Sequence, residues 1–293
     1  MSASGRPNLV DFRTLPIVRR LWEQEPPPIL HHYTSRRGLQ GIVEAKTIWA
    51  SEARYLNDAR ELSTALDHVR EILATRDGKP FGALYPRMSS ILEQMKEGQD
   101  TFVFSMSNDG GDELSQWRAY ARPGNGYAIG FDAPAIKRML VAAGVTSHFA
   151  PCEYDETRQR ALMTEVVEHA ERVLSVHGAQ ALDEAVRIFG GLFLLTAPIV
   201  KHGSFRAEKE WRLILPAFSA WDARVRFRDA GRLLVPFWTV RLDHAGARLP
   251  IKEVVIGPTP HAELEARAVS AILTVAGLRE ATVRRSSVPY RDW

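Results

Sequence analysis

The 293-residue sequence contains a single cysteine, Cys152. One cysteine excludes an internal disulfide bond and any zinc site that several cysteines would form. Long hydrophobic runs are also scarce: the longest apolar stretch, 189–200, contains two glycines and one proline and is too short to span a bilayer. We therefore expect a cytoplasmic protein with no membrane partner, and we expect no signal peptide in residues 1–30.

An excess of charge of one sign is missing too. The chain has 38 Lys and Arg against 35 Asp and Glu, which gives a net charge of +3. Such a weak positive charge tolerates a polyanionic partner without requiring one. Internal repeats, heptad runs and low-complexity segments are absent, and the 45% hydrophobic and 25% charged residues are those of an ordinary globular protein. Function must therefore be sought in local motifs.

The order of helical and strand-like segments predicts the fold class. Residues 1–28 end in three consecutive prolines and are expected to form an extended N-terminal segment. From residue 29 onward, strand-like segments alternate irregularly with helices, and large helical insertions are expected at about 58–98 and 155–200. This pattern predicts one α+β domain over 29–293, with a mixed, mostly antiparallel β core and without parallel βαβ alternation.

Hydrophobic spacing also predicts which helix faces are buried. The buried positions expected in three helices are Leu39, Ile42 and Val43, then Leu62, Ala65, Leu66, Val69 and Leu73, then Leu162, Val166, Val173 and Leu174. Asp58 is expected to cap the second of these helices, and Thr259 to cap the last helix of the chain, which would then start at Pro260.

The first candidate motif is the run from His31 to Ser35. His32 and Tyr33 end a predicted strand, and the hydroxyl pair of Thr34 and Ser35 stands where a helix begins. A histidine followed by hydroxyls and a helix N-terminus supplies hydrogen-bond donors for a ribose or a phosphate. The alternative is a structural histidine followed by a plain helix cap.

The second candidate motif combines a strand with the short helix that follows it. Ser105 and Ser107 are two positions apart and so point to one side of a strand, where their hydroxyls could orient a carboxylate or a ligand. Trp117 and Tyr120 follow a polar turn and offer aromatic rings that could sandwich a flat ligand. The alternative is that the flanking Phe104 and Met106 are core residues and the serines face solvent.

The third candidate motif is the carboxylate pair Glu208 and Glu210. In an extended chain these side chains point the same way. Two like charges at such a short separation raise the pKa of at least one of the two carboxyl groups, as an acid/base or cation-stabilising pair requires. Because Lys209 and Arg212 are adjacent, a solvated strand end is the alternative. A weaker feature is the alternation of arginines over 224–228, which fits either a nucleic-acid backbone contact or a solvated strand face.

These motifs carry a family resemblance. The runs His32-Tyr33-Thr34-Ser35, Phe104-Ser105-Met106-Ser107 and Glu208-Lys209-Glu210-Trp211-Arg212, with matching residues from Ile29 to Arg291, resemble a bacterial family known only as a domain of unknown function, number 2971. In their order and content, the three motifs also resemble the ADP-ribosyltransferase fold. That second similarity is the more distant one, and it is the one that implies a chemistry.

If the chain follows the ADP-ribosyltransferases, it uses NAD as its substrate. The resemblance implies that His32 holds a ribose hydroxyl, that Ser105 and Ser107 position the glutamate, that Glu210 is the catalytic carboxylate and that Glu208 orients the acceptor. It further implies stacking by Tyr33, Trp117 or Tyr120, and a diphosphate contact from Arg36, Arg37 or Arg118. No metal is required. The acceptor, whether protein, nucleic acid, small molecule or water, stays open, and a toxin or phage-defence role would suit such chemistry.

Two alternatives belong to other functional classes. One is a non-catalytic nucleotide-binding or interaction module, since one fold supports many functions. The other is a metal-dependent nuclease or phosphohydrolase that would use His31, His32, Asp58, Glu61 and Glu210, although the sequence lacks the clustered acidic spacing typical of such sites.

Overall fold

A computed structural model describes residues 15–56, 61–76, 81–98, 100–120, 126–145, 147–218, 222–231 and 233–289. Within these ranges the chain forms a ten-stranded sheet. Its strands are β1 (Ile29–Ser35), β2 (Thr47–Glu52), β3 (Asp100–Ser107), β4 (Gly126–Asp132), β5 (His148–Pro151), β6 (Glu210–Phe218), β7 (Val225–Asp229), β8 (Leu234–Arg241), β9 (Ile251–Ile256) and β10 (Thr282–Arg285).

Helices cover both faces of the sheet. The α-helices of the described ranges are α1 (Pro16–Glu23), α2 (Arg36–Ala45), α3 (Glu61–Ala74), α4 (Leu84–Gly98), α5 (Leu114–Tyr120), α6 (Ala133–Ala142), α7 (Glu156–His177), α8 (Leu182–Thr196) and α9 (Ala262–Val275). One hydrophobic core joins the sheet to α1, α3, α4, α7 and α8. A second core joins the opposite face to α2, α6 and α9. The described elements therefore form three layers, with helices on each side of the sheet, and the fold belongs to the α+β class that the sequence predicts.

Most strand pairs are antiparallel, which confirms the predicted mixed and mostly antiparallel core. The exception is β10, which pairs with β9 in parallel and is connected to it through α9. The expectation that parallel βαβ alternation is absent therefore fails at this one unit, because α9 carries the chain back across the sheet to its edge.

The sheet forks at β3, and this fork positions the candidate site. β6 pairs with β3 along its whole length and so occupies one edge of β3. The other edge is shared: β1 pairs there only through His31 opposite Ser107, and β2 pairs through Ser51 opposite Val103 and Glu52 opposite Phe102. A strand has only two edges, so β1 and β2 must diverge from each other at the level of Ser105.

The helices agree with their predicted buried faces, with corrections at their ends. All predicted apolar positions in α2, α3 and α7 are buried or pack against the core. The last helix begins at Ala262 and not at Pro260, and the Thr259 hydroxyl accepts a hydrogen bond from the His261 N–H at 3.3 Å without capping the helix. Helix α1 was not predicted, although Ile17 and Val18 are fully buried. The predicted cap Asp58 lies outside the described residues.

Candidate active site

A cleft opens on one face of the sheet at the fork between β1 and β3. Its empty volume, including space open to solvent, is about 350 Å³. The residues that line it are His31, His32, Tyr33, Ser105, Met106, Ser107, Gln116, Tyr120, Glu208 and Glu210. All three sequence motifs, which are separated by up to about 180 positions, therefore contribute side chains to one site.

His32 occupies the gap in the ladder of β3. Its Nδ1 lies 2.9 Å from the carbonyl oxygen of Ser105, and its ring packs on Phe104 with 4.4 Å between ring centroids. Since a carbonyl can only accept, Nδ1 carries the proton and Nε2 is the acceptor of the neutral ring. Burial lowers the pKa of His32 to about 4, an effect that the Ser105 contact opposes and the charge of Arg228 reinforces. The ring is therefore uncharged at neutral pH.

Ser105 and Ser107 face the cleft and not the solvent. Ser107 is buried, and its hydroxyl donates to the carbonyl oxygen of Glu208 at 2.5 Å. Phe104 and Met106 point to the opposite face, where they belong to the second hydrophobic core. The alternation of β3 thus sends its hydroxyls to the cleft and its apolar side chains to the core, and Ser107 fixes the turn that carries Glu208.

Glu210 is a buried carboxylate held by two cations. Arg212 donates from Nε to Oε1 at 2.8 Å and from Nη2 to Oε2 at 3.1 Å, and the Lys201 ammonium donates to Oε2 as well. Burial raises the pKa of Glu210, but the charges of Arg212 and Lys201 outweigh this effect and lower it to about 2. The expectation that the carboxylate pair raises a pKa is thus wrong for Glu210, because the pair is bridged by a cation.

Glu208 reaches the same ammonium from a different backbone element. It ends a 3-10 turn, Gly203–Glu208, and the next residue, Lys209, has a left-handed φ of 43° that turns the chain into β6. Glu208 Oε2 accepts from Lys201 Nζ at 2.6 Å, and the Tyr120 hydroxyl donates to Oε1 at 3.4 Å. The two carboxylates therefore lie together because Lys201 bridges them, and not because one extended strand presents both.

Several predicted residues do not line the cleft in the described part of the chain. Ser35 caps α2 by accepting from the Gly38 N–H at 3.2 Å. Thr34 packs against the same glycine, where an added Cβ would lie 1.9 Å from the threonine hydroxyl. Arg37 is exposed on α2 and is not among the residues that line the cleft. The hydroxyl pair is therefore used for the helix cap and for packing.

The aromatic residues divide into two groups. Tyr120 is 37% exposed at the cleft. Trp117 is buried, its indole N–H donates to Asp112 at 2.9 Å, and its ring meets Tyr33 edge to face at 4.8 Å. Tyr33 lines the cleft, but its hydroxyl donates to Asp109 at 2.8 Å and accepts from the Glu113 N–H at 3.0 Å. Tyr120 is thus the ring with surface available for stacking.

Three residues at the site were not predicted from the sequence. Gln116 lines the cleft one helical turn before Tyr120, so the spacing of four residues on α5 could have revealed it. Lys201 follows the apolar stretch, and no local pattern links it to a carboxylate nine positions later. Tyr154 accepts a hydrogen bond from the Glu210 N–H at 2.8 Å, and only the pairing of β5 with β6 brings it there.

The described residues contain neither a cluster suited to a metal ion nor a helix suited to span a membrane. No group of three or more His, Cys, Asp and Glu side chains in these ranges could hold a metal ion. Of the residues in the proposed metal site, His31 binds Glu253 at 2.6 Å, while Asp58 lies outside the described ranges. No helix in the described ranges is both long enough and apolar enough to cross a membrane.

Comparison with known proteins gives a family match over part of the chain. No curated protein and no solved structure is significantly similar to this chain. A family model does match residues 116–213, a segment that contributes Gln116, Tyr120, Glu208 and Glu210 to the cleft, whereas β1 and β3 lie outside it. Over that segment, the match supports the family indicated by the sequence motifs, which is described as "Protein of unknown function (DUF2971)".

Proposed function

We propose that this protein is an NAD-using ADP-ribosyltransferase or NAD glycohydrolase that cleaves the bond between nicotinamide and its ribose. The observation that carries the proposal is the meeting of His32, Ser105, Ser107 and Glu210 in one cleft. The site contains a neutral acceptor nitrogen, hydroxyls and an ionised carboxylate. This set of groups fits a ribose that carries a cationic ring.

In the reaction, the bond from ribose C1′ to the nicotinamide nitrogen breaks, and its electron pair neutralises the pyridinium ring. Nicotinamide leaves as a neutral molecule, and positive charge develops on the ribose as an oxocarbenium-like cation. A lone pair of the acceptor then forms the new bond at C1′, and the acceptor's proton passes to solvent. If the acceptor is water, the outcome is hydrolysis.

Glu210 has the protonation state that this step requires. A carboxylate near the ribose stabilises positive charge that is larger in the transition state than in the ground state. Arg212 and Lys201 keep Glu210 ionised, so it is unsuited to act as a general acid near neutral pH. Glu208 shares the Lys201 ammonium and lies beside Tyr120, and we assign it the role of orienting the acceptor.

The test is nicotinamide release from NAD by the purified parent protein and by the Glu210→Gln variant. We expect a loss of about 10²–10³ in rate, the effect typical of one electrostatic contact to a transition state. Because the substitution removes charge beside two buried cations, the variant's melting temperature is measured in parallel. The matched control is Glu263→Gln on α9, where the side chain is 85% exposed.

A second cleft variant keeps the proposal testable if Glu210→Gln does not fold. Tyr120 is partly exposed, so Tyr120→Ala should keep the fold and raise the KM for NAD through the lost stacking surface. Release of nicotinamide by folded Glu210→Gln at the parent's rate would refute the assignment of Glu210. Unchanged kinetics in both variants would refute this cleft as the reaction site.

One observation favours the second candidate function, a non-catalytic nucleotide-binding module. Glu210 is engaged on both oxygens by Lys201 and Arg212, an arrangement that also suits a purely structural ion cluster. Titration with NAD separates the candidates: a binding module saturates without releasing nicotinamide, and an enzyme releases it in proportion to time.

A further inference from the structure

Beyond the fork, β2, β8 and β7 continue the sheet as a wing. Register places Ser51 opposite Val103, Phe237 opposite Ser51, and Arg226 opposite Phe237, so these side chains share the face that holds the cleft. Trp49 and Arg228, each two positions along its strand, lie on the same face. We call Trp49, Ser51, Arg226, Arg228 and Phe237 the wing face. By the same alternation, the wing-face positions of β7 and β8 hold no aspartate or glutamate.

Arg228 is the unusual residue of the wing face. Its guanidinium is half-buried and donates from Nη2 to the Ser51 hydroxyl at 3.3 Å, and no described residue provides a carboxylate partner. Burial lowers the pKa of Arg228. A partly desolvated cation without a counterion is costly, and a phosphate would satisfy it because two phosphate oxygens can accept hydrogen bonds from the planar guanidinium. The charge of Arg228 already reaches His32 in the cleft.

Trp49 supplies an aromatic surface beside this cation. One face of its ring stacks on Phe237, with 4.4 Å between centroids and 27° between planes. The side chain nevertheless remains 50% exposed, so it keeps surface that a ligand can contact. A base stacked on such a ring gains binding free energy without sequence-specific hydrogen bonds.

The wing face lies within reach of the cleft. Ser51 is one strand away from Val103, and Val103 is two residues before Ser105, so standard strand spacings put Ser51 and Ser105 roughly 8 Å apart. The two cations beside the cleft carboxylates are already committed: Lys201 to Glu208 and Glu210, and Arg212 to Glu210. A ligand that carries both a ribosyl cation and a diphosphate would thus find its carboxylate in the cleft and its phosphate partner on the wing face.

We propose that the wing face binds the adenosine diphosphate part of NAD, with the diphosphate on Arg228 and Arg226 and the adenine on Trp49. This inference rests on the proposed function for the identity of the ligand. The cleft would hold the nicotinamide half of the dinucleotide, and the wing face would hold the other half. The nicotinamide ribose is then held at the fork and the adenine beyond it, on one continuous face of the sheet.

The test measures ADP binding by calorimetry, because ADP contains the groups that the wing face would hold and lacks nicotinamide. The parent should bind ADP, and Trp49→Ala and Arg228→Gln should each weaken binding about tenfold, within the range known for base stacking and charge-assisted phosphate contacts. Arg226→Gln is included because Arg226 is exposed and its replacement leaves the packing intact.

Two matched controls address specificity. Phe227→Ala removes an aromatic ring that is 58% exposed on the opposite face of β7, and Arg279→Gln removes an exposed arginine just before β10, at the other edge of the sheet. Both should bind ADP like the parent. Equal losses in the controls, or parent-like binding by Trp49→Ala and both arginine variants, would overturn the inference.

A third arm uses a single-stranded oligonucleotide as the probe. If the wing-face variants lose oligonucleotide binding but keep ADP binding, the surface serves a nucleic acid and the inference is refuted. Failure of this inference is distinct from failure of the proposed function. If ADP binding is lost in the wing-face variants but the parent releases no nicotinamide from NAD, only the proposed enzymatic activity is refuted. If the parent releases nicotinamide but the wing-face variants bind ADP as the parent does, only the assignment of the wing face is refuted.

Discussion

Replacing Lys201 with methionine tests the ion cluster at the centre of the site. Lys201 is 4% exposed and donates to both Glu208 and Glu210. Without its ammonium, the two carboxylates repel each other and Arg212 is the remaining cationic partner of Glu210. Breaking a buried ion pair by removing one partner typically costs about 3–5 kcal/mol. We expect a loss of this size in the free energy of unfolding at pH 7.

The pKa of Glu210 predicts how this loss depends on pH. Its fall from the ordinary value of 4.5 to about 2 corresponds to about 3 kcal/mol of stability. Because the folded-state pKa is lowered, this contribution is complete above pH 4.5 and disappears as the pH falls toward 2. In Lys201→Met, Glu210 takes up its proton at a higher pH than in the parent, and this protonation relieves the repulsion between Glu210 and Glu208. The difference in the free energy of unfolding between parent and variant should therefore become smaller as the pH falls.

Urea unfolding, followed by tryptophan fluorescence at pH 7 and pH 4, measures both effects. The matched control is Lys252→Met, which removes an exposed ammonium 3.3 Å from Asp132 and should cost at most about 1 kcal/mol. The reasoning fails if Lys201→Met is no more destabilising than Lys252→Met at pH 7. It also fails if the deficit of Lys201→Met is unchanged at pH 4.

Two further predictions concern the loop that borders the cleft. Gly111 has a φ of 77°, and a Cβ added to it would lie 2.4 Å from the His31 ring. Gly111→Ala should therefore lower the free energy of unfolding by about 1–3 kcal/mol in a urea titration. Gly110→Ala is the control and should cost less, because nothing lies within 4 Å of a Cβ added there. Asp112 accepts from the Ser287 N–H at 2.7 Å, so Asp112→Ala should speed amide exchange in 284–288; unchanged exchange would show that other contacts anchor this segment.

Local patterns were sufficient for the elements and for part of the site. The apolar spacing of α2 and α7 predicted their buried faces because packing follows the helical period. Period-two alternation likewise predicted that Ser105 and Ser107 share a side of β3. These are properties of a few consecutive residues, and tertiary structure only had to preserve them.

What the sequence concealed depends on pairings between distant strands. The bridge from Lys201 to both carboxylates arises because a 3-10 turn and the left-handed Lys209 fold Glu208 back beside Glu210. Trp117 looked like a ligand-stacking residue but is a core residue, because α5 presses it against Tyr33. The fork at β3 likewise needs β1, β2 and β6 to be placed together, and no window of sequence contains all three.

The contact between the His32 ring and the Ser105 carbonyl links assembly of the site to closure of the sheet. A side chain stands where a neighbouring strand would otherwise supply an N–H, across 73 positions of sequence. The cleft therefore forms only when β1 docks on β3, a long-range event that local structure cannot anticipate. An isolated fragment spanning 116–213 contains neither strand, so it would present Glu208 and Glu210 without the wall that faces them.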